Sequence, residues 1–230
     1  MENVTFNLAQ LHLYGAAFYE FLGLRKRFFV DQLGWQIPHD DDVEMDQYDN
    51  PTAYYSLVLR HGKVVGGARV MATTAQWGSH TYMLRDAVAG KLIGIPPDII
   101  PQAEATKAIW EVTRTVIADE VDTQADRTKC LSMMLDGAVD IAKRHGASTL
   151  MSLSPLAMAR TLRKLGYDAH RIGEPYRNEE DGRRYACISM PTTRSKHAET
   201  APAASHQPAA HLPKATHMSQ PQPVHAPAVI

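Results

Sequence analysis

Two charged residues, Arg69 and Glu111, lie within segments that otherwise read as buried strands, Lys63 to Met71 and Ile109 to Ala118. A charge taken out of water persists only when it is paired or put to use. Any fold of this chain must therefore bring partners to both. The candidates are remote in sequence: Arg25 in Arg25-Lys26-Arg27-Phe28-Phe29, the acids of Glu44-Met45-Asp46-Gln47-Tyr48-Asp49, and Arg114 in Trp110-Glu111-Val112-Thr113-Arg114. Opposite charges with apolar or aromatic neighbours, arriving from separate segments, predict one polar pocket. Such a pocket suits a small zwitterionic or cationic substrate.

The chain is long enough, at 230 residues, for one sizeable core and a short appendage. A net charge of −1 gives no reason to expect nucleic acid or an anionic membrane as partner. Cys130 and Cys187 are too few and too far apart for a disulfide framework or a zinc site, so both are expected to pack as small apolar groups. No metal site is expected. No apolar run reaches the roughly 18 to 20 residues of a membrane span, and the N-terminus lacks a signal peptide's regions. The cytoplasm is the default location. From Thr193 onward the composition turns to Pro, Ala, His, Gln and Ser. The expected organisation is a domain over residues 1–193 and a disordered tail over 194–230. The tail histidines, such as His206 and His211, lack the spacing of a helical ligand pair and read as part of a solubilising segment.

Within the domain, Leu13, Ala17, Phe21, Leu24 and Phe28 fall on one stripe of a helix predicted over residues 12–33 and ended by Gly34. Arg25 and Phe29, four apart, are expected to face one cavity. Residues 36–52 read as a long loop, and Ala53–Leu59 with Lys63–Met71 as a hairpin. Pro96, Pro97 and Pro101 bar a long helix between residues 75 and 105. Strict alternation over 109–118 puts Glu111 and Thr113 on one face, and Trp110, Val112 and Arg114 on the other. An amphipathic helix over 126–145, a short strand over 149–153, a helix from Pro155 to Lys164 and strands near 167–173 and 184–190 follow. Strands that start antiparallel and then alternate with helices predict an α/β fold: a mixed, largely antiparallel central sheet flanked by helices.

That order resembles the general-control N-acetyltransferase fold, an N-acyltransferase-like α/β/α sandwich. The Gly-rich pyrophosphate turn of that fold is replaced here by Gln124-Ala125-Asp126-Arg127-Thr128-Lys129. The ordered motifs Leu24-Arg25-Lys26-Arg27-Phe28-Phe29, Leu33-Gly34-Trp35, Glu44 to Asp49, Gly67-Ala68-Arg69, Met83-Leu84 and Trp110 to Arg114 resemble the acyl-homoserine-lactone synthases over residues 20–170. Two positions depart from that pattern: Ala72-Thr73 stands for Pro-Thr, and Val88 for Phe.

The resemblance implies an acyltransferase of quorum sensing that makes an autoinducer. It joins an acyl group, from acyl-acyl-carrier protein or acyl-CoA, to S-adenosylmethionine, which is a substrate rather than a cofactor. The matching motif positions are Arg25, Phe29, Trp35, Asp46, Asp49, Arg69, Glu111 and Arg114. Asp46 and Asp49 would attract the cationic centres, and Phe29 and Trp35 offer ring faces. Arg25 or Arg69 would take the substrate carboxylate. Glu111 is the expected general base, with Arg69 and Arg114 beside it as catalytic candidates. Ser152, on the strand expected to border the acyl chain, could hydrogen-bond an oxygen on the third carbon. A general acyl-CoA N-acyltransferase and a non-catalytic sensor of S-adenosylmethionine or an acyl-amino compound are the competing readings.

Overall fold

The structure is a computed structural model that describes residues 1–195. The expected tail and its histidines lie outside the described residues, apart from Arg194 and Ser195. Both of these are attached to the domain: Arg194 pairs with Asp136, and the Ser195 N–H donates to the Gly166 carbonyl.

Seven strands form one mixed sheet: β1 (Glu2–Asn7), β2 (Ala53–Arg60), β3 (Lys63–Ala72), β4 (Ile109–Ile117), β5 (Thr149–Pro155), β6 (His170–Arg177) and β7 (Arg184–Pro191). Their spatial order is β1-β2-β3-β4-β5-β7-β6, and every pairing is antiparallel except β4 with β5. That exception positions the site. β4 and β5 pair only at Ile109↔Thr149, Trp110↔Leu150 and Glu111↔Met151. Both strands continue past Glu111 and Met151 without pairing to each other, each keeping its other neighbour, so the sheet opens into a fork there.

Helices cover both faces. α1 (Ala17–Arg25) lies on β3 from one side and α3 (Gln124–Arg144) from the other. The Gly66-Gly67 pair explains how both come so close. A Cβ on Gly67 would meet the Phe21 ring within 2.6 Å, and one on Gly66 would meet Cys130 Sγ within 2.6 Å. Any larger residue would push a helix outward, and with α1 would move Arg25 at its end. Cys130 and Cys187 are both buried and free, as expected of small core residues. Thr123 caps α3 by accepting the Asp126 N–H, and Arg127 donates to the Ala118 and Val121 carbonyls. Arg127 is thus occupied within the fold where the related fold would hold a pyrophosphate.

Several boundaries differ from the sequence expectation, each for a local reason. The helix predicted over 12–33 begins only at Ala17. Residues Leu8–Leu13 form a separate 3-10 turn and leave Leu13 exposed. Past Arg25 the helix widens to a π form over Lys26–Gln32, closed by the Leu33 N–H on the Phe28 carbonyl at 3.1 Å. A wider turn changes the angle between Arg25 and Phe29, which an even 3.6-residue period cannot anticipate. Pro155 ends β5, and α4 starts later, at Ala157 (Ala157–Lys164). A short helix, α2 (Met83–Val88), forms within the proline-bounded stretch. Among the described residues no helix is long and apolar enough to cross a membrane.

Candidate active site

The charged residues singled out from the sequence meet in one cluster beside the fork. Arg25 donates through Nε to Glu44 at 2.6 Å, and through Nη1 and Nη2 to both oxygens of Asp49 at 2.8 Å. Arg69 donates through Nε to Thr113 Oγ1 at 3.0 Å, and its Nη1 contacts Asp46 at 2.5 Å and Asp49 at 3.1 Å. Arg114 reaches Glu44 at 3.1 Å and Asp46 at 2.8 Å. Three guanidinium groups therefore face three carboxylates, and the set is neutral by itself. Bidentate charge-assisted contacts of this kind offset the cost of burial better than single ones do. The Arg69 and Arg114 guanidiniums hold the Asp46 carboxyl below its ordinary range against the opposing effect of burial. Asp49 is likewise held well below the ordinary carboxylate range by Arg69 and Arg25, again against burial.

Arg114 joins the cluster only because β4 is irregular. Between Gly67 and Arg69 the register against β4 shifts, and Arg114 has φ of 54°. This bulge inserts one extra residue and breaks the alternation. Arg114 consequently reaches Asp46, which Arg69 also holds, and Glu44, rather than pointing away from Glu111 as strict alternation predicts. The positive φ is an unusual conformation for a non-glycine residue, and it turns the side chain toward Glu44 and Asp46.

Glu111 is 2% exposed and sits where β4 and β5 part. Its carboxylate accepts the backbone N–H of Met83 at 2.9 Å and of Leu84 at 2.8 Å, both in the first turn of α2. Burial raises its pKa, while those two N–H groups and Arg69 lower it; burial prevails and pushes it up to about 7. A carboxyl that exchanges its proton near neutrality is suited to general acid–base work.

A cavity of about 560 Å³ fills the fork. Val112 to Thr115 of β4 and Leu153 to Pro155 of β5 form its sides, and Asp46, Tyr48 and Lys91 lie at one polar end. Phe29 and Trp35 line it as a stacked pair, with ring centroids 5.0 Å apart and planes at 26°. The Arg114 guanidinium sits 5.4 Å from the Phe29 ring centre. Of the sequence candidates, Phe29, Trp35, Asp46 and Arg114 border this cavity, whereas Arg25, Asp49, Arg69 and Glu111 lie behind its wall. The expectation of a free guanidinium at Arg25 or Arg69 is therefore revised. Both are buried, and their donors are engaged by Glu44, Asp46, Asp49 and Thr113. Asp49 likewise gives its oxygens to Arg25, Arg69 and the Tyr55 hydroxyl, not to the cavity. Ser152 borders a separate apolar recess of about 40 Å³ and bonds Ser154 at 2.9 Å; Ser154 faces the main cavity. Among the described residues no group of His, Cys, Asp or Glu is arranged to hold a metal ion.

The model of the autoinducer synthase family matches residues 10–199. The chain belongs to that family. An acyl-homoserine-lactone synthase of Acinetobacter nosocomialis is 32% identical to the synthase over 162 residues, 68% of this chain and 82% of that one. The one of Ralstonia solanacearum is 32% identical over 154 residues, 65% and 70% of the two chains. Among solved structures, TofI in a ternary complex with an inhibitor and MTA superposes with a TM-score of 0.63 at 28% identity, covering 84% of this chain and 92% of that one. The family, fold class and acyltransferase type expected from the sequence are those found.

Three buried or bridging acids of the chain were assigned no role from the sequence, Glu44 appearing there only as part of its motif. Glu44 is fully buried and joins Arg25 to Arg114. Its setting between Val43 and Met45, two residues before Asp46, was the available signal. Asp86, 1% exposed, accepts from the Tyr48 hydroxyl at 3.1 Å, Thr81 Oγ1 at 2.7 Å and Lys91 Nζ at 3.1 Å, tying both loops at the polar end together. Asp181 holds the Trp35 indole N–H from a distant turn, and no local pattern announces it.

Proposed function

We propose that the chain acylates the amine of S-adenosylmethionine from an acyl thioester and closes the product to an acyl-homoserine lactone, releasing methylthioadenosine. The observation that carries this reading is the position of Glu111: a carboxyl poised near neutrality at the point where the strands open onto the cavity. The α-amine must be neutral to attack. Glu111 takes its proton, through a water because the carboxylate lies behind Met83 and Thr113. The amine nitrogen then bonds the thioester carbon, and as the carbon–sulfur bond breaks the nitrogen gives up a second proton to the departing thiolate, while the first leaves Glu111 for solvent. In the second stage the substrate carboxylate attacks its own γ-carbon. The electron pair of the breaking bond goes to the sulfonium sulfur, which leaves neutral in methylthioadenosine. No protein nucleophile is required.

Asp46 and Arg114 are assigned to the charged end of the substrate, since both border the cavity. Phe29 and Trp35 are assigned to the adenosine, by stacking or cation–π contact worth about 0.5 to 2 kcal/mol each. Arg25, Asp49 and Arg69 organise that surface from behind. The acyl chain is assigned to the apolar side of the fork, with Ser154 rather than Ser152 as the hydroxyl within its reach. The donor is acyl-acyl-carrier protein or acyl-CoA, and cytoplasmic residence belongs to the same reading.

Purified chain supplied with S-adenosylmethionine and acyl thioesters should yield acyl lactone and methylthioadenosine in equal amounts by mass spectrometry. Tight binding of S-adenosylmethionine without either product would favour a sensor, and acylation of unrelated amines a general N-acyltransferase. A pH dependence follows from Glu111. Because its folded pKa is raised to about 7, the base form is depleted below that value. At limiting substrate, kcat/KM should rise about tenfold per pH unit below that point and level off above it. A flat profile from pH 5 to 8 would exclude Glu111 as the base.

A further inference from the structure

We infer that Asp181, in the turn between β6 and β7, is a positioning residue that fixes the ring of Trp35 for the adenosine part of the substrate. The inference rests on the assignment of Trp35 given under Proposed function. Trp35 Nε1 donates to Asp181 Oδ2 at 3.0 Å, and the Tyr185 hydroxyl donates to the same oxygen at 2.6 Å. The other Asp181 oxygen accepts the Arg183 backbone N–H at 2.9 Å. One residue along, the Gln36 N–H donates to Glu180 at 3.0 Å. Two hydrogen bonds thus fasten the turn to the segment that carries Trp35.

The ring needs this fastening. Stacking on Phe29 limits its tilt, and the Tyr185 ring meets it edge-on at 5.9 Å. Stacked rings can still slide or turn over within their plane, because the contact is nondirectional. A hydrogen bond from the indole N–H selects one orientation. Asp181 is equipped as acceptor for both donors. Burial works against its charge, but the Tyr185 hydroxyl, the Arg183 N–H and the Trp35 N–H outweigh that effect and lower its pKa. It therefore stays an acceptor-only carboxylate at ordinary pH. Asp181 does not itself border the cavity, so its effect is on the fit of the ring and not on the reacting atoms.

The test is a double-mutant cycle in the full chain. Asp181→Ala should raise KM for S-adenosylmethionine, and Kd for methylthioadenosine, about tenfold, with kcat kept within about twofold. Trp35→Phe keeps an aromatic ring but loses the N–H, so adding Asp181→Ala to it should cause no further loss. An unchanged KM in Asp181→Ala, or a full additional tenfold loss in the Trp35→Phe background, would overturn the inference. Should Asp181→Ala fail to fold, Asp181→Val, which likewise offers no acceptor, is read by the same cycle and the same criteria. A wild-type chain that binds no methylthioadenosine would overturn the assignment of Trp35 instead. Time-resolved tryptophan fluorescence anisotropy in a Trp77→Phe, Trp110→Phe background, where Trp35 is the sole emitter, then judges the clamp alone: greater ring mobility in Asp181→Ala supports it, and unchanged anisotropy overturns it.

Discussion

Glu111→Gln is expected to lower kcat by about 10² to 10⁴, the usual consequence of losing a general base, while S-adenosylmethionine still binds. The structure adds a cost that shape alone would not suggest. The Glu111 carboxylate accepts two backbone N–H groups, from Met83 and Leu84, one on each oxygen. A glutamine amide offers one oxygen and one NH₂, so one N–H loses its acceptor, at about 1 to 3 kcal/mol. Removal of a buried charge partly offsets that loss. The variant should therefore melt somewhat lower yet remain folded at room temperature, with the rate effect dominant. Single-turnover kinetics on folded protein, alongside thermal melts, separate the two. Turnover within threefold of wild type would remove Glu111 from the mechanism. The residual activity should also lose its acidic limb near pH 7, since Glu111 no longer titrates.

How much of this was legible in the sequence depended on whether a signal was local or long-range. The identity of the charge cluster was legible, because Arg25, Asp46, Asp49, Arg69 and Glu111 have apolar neighbours that leave them few options but each other. Their roles were not. Pairing between segments decided that Arg25 and Asp49 bind one another behind the cavity wall, and sequence spacing carries no information about that. The sheet was legible as a mixed, mainly antiparallel one, since each strand's pattern is local. The bulge at Arg114 was not, because one extra residue in β4 shows only against the register of β3. The π turn after Arg25 escaped for a similar reason, as the apolar stripe through Phe28 reads the same at either pitch over one turn. Trp35 was legible as a site residue, but its partner Asp181 lies in another hairpin 146 residues away.

Asp46 and Asp49 separate the two functions of the acidic loop, and their asparagine variants should behave differently despite being three residues apart. Asp49 is buried, accepts both terminal nitrogens of Arg25, and contacts Arg69 and Tyr55. Neutralising it leaves buried guanidinium charge unmatched, which costs about 3 to 5 kcal/mol. In a chain of this size that lowers Tm by roughly 6 to 20 °C. The effect depends on pH with a defined sign. The folded pKa of Asp49 is depressed, so its stabilisation is full above the unfolded value near 3.9 and is lost as pH falls below it. Wild type and Asp49→Asn should therefore converge in stability on acidification. Asp46 borders the cavity as well as pairing with Arg69 and Arg114. Asp46→Asn should weaken S-adenosylmethionine by roughly ten- to a hundredfold through loss of one charge-assisted contact. Methylthioadenosine lacks the sulfonium and the amino-acid part, so its affinity should change by no more than about threefold. Calorimetric titration of both ligands against each folded variant decides the matter. Equal losses for the two ligands in Asp46→Asn would mean that Asp46, like Asp49, only holds the arginines, and recognition of the charged end would then fall to Arg114 and the other charged groups that line the cavity, Lys91 among them.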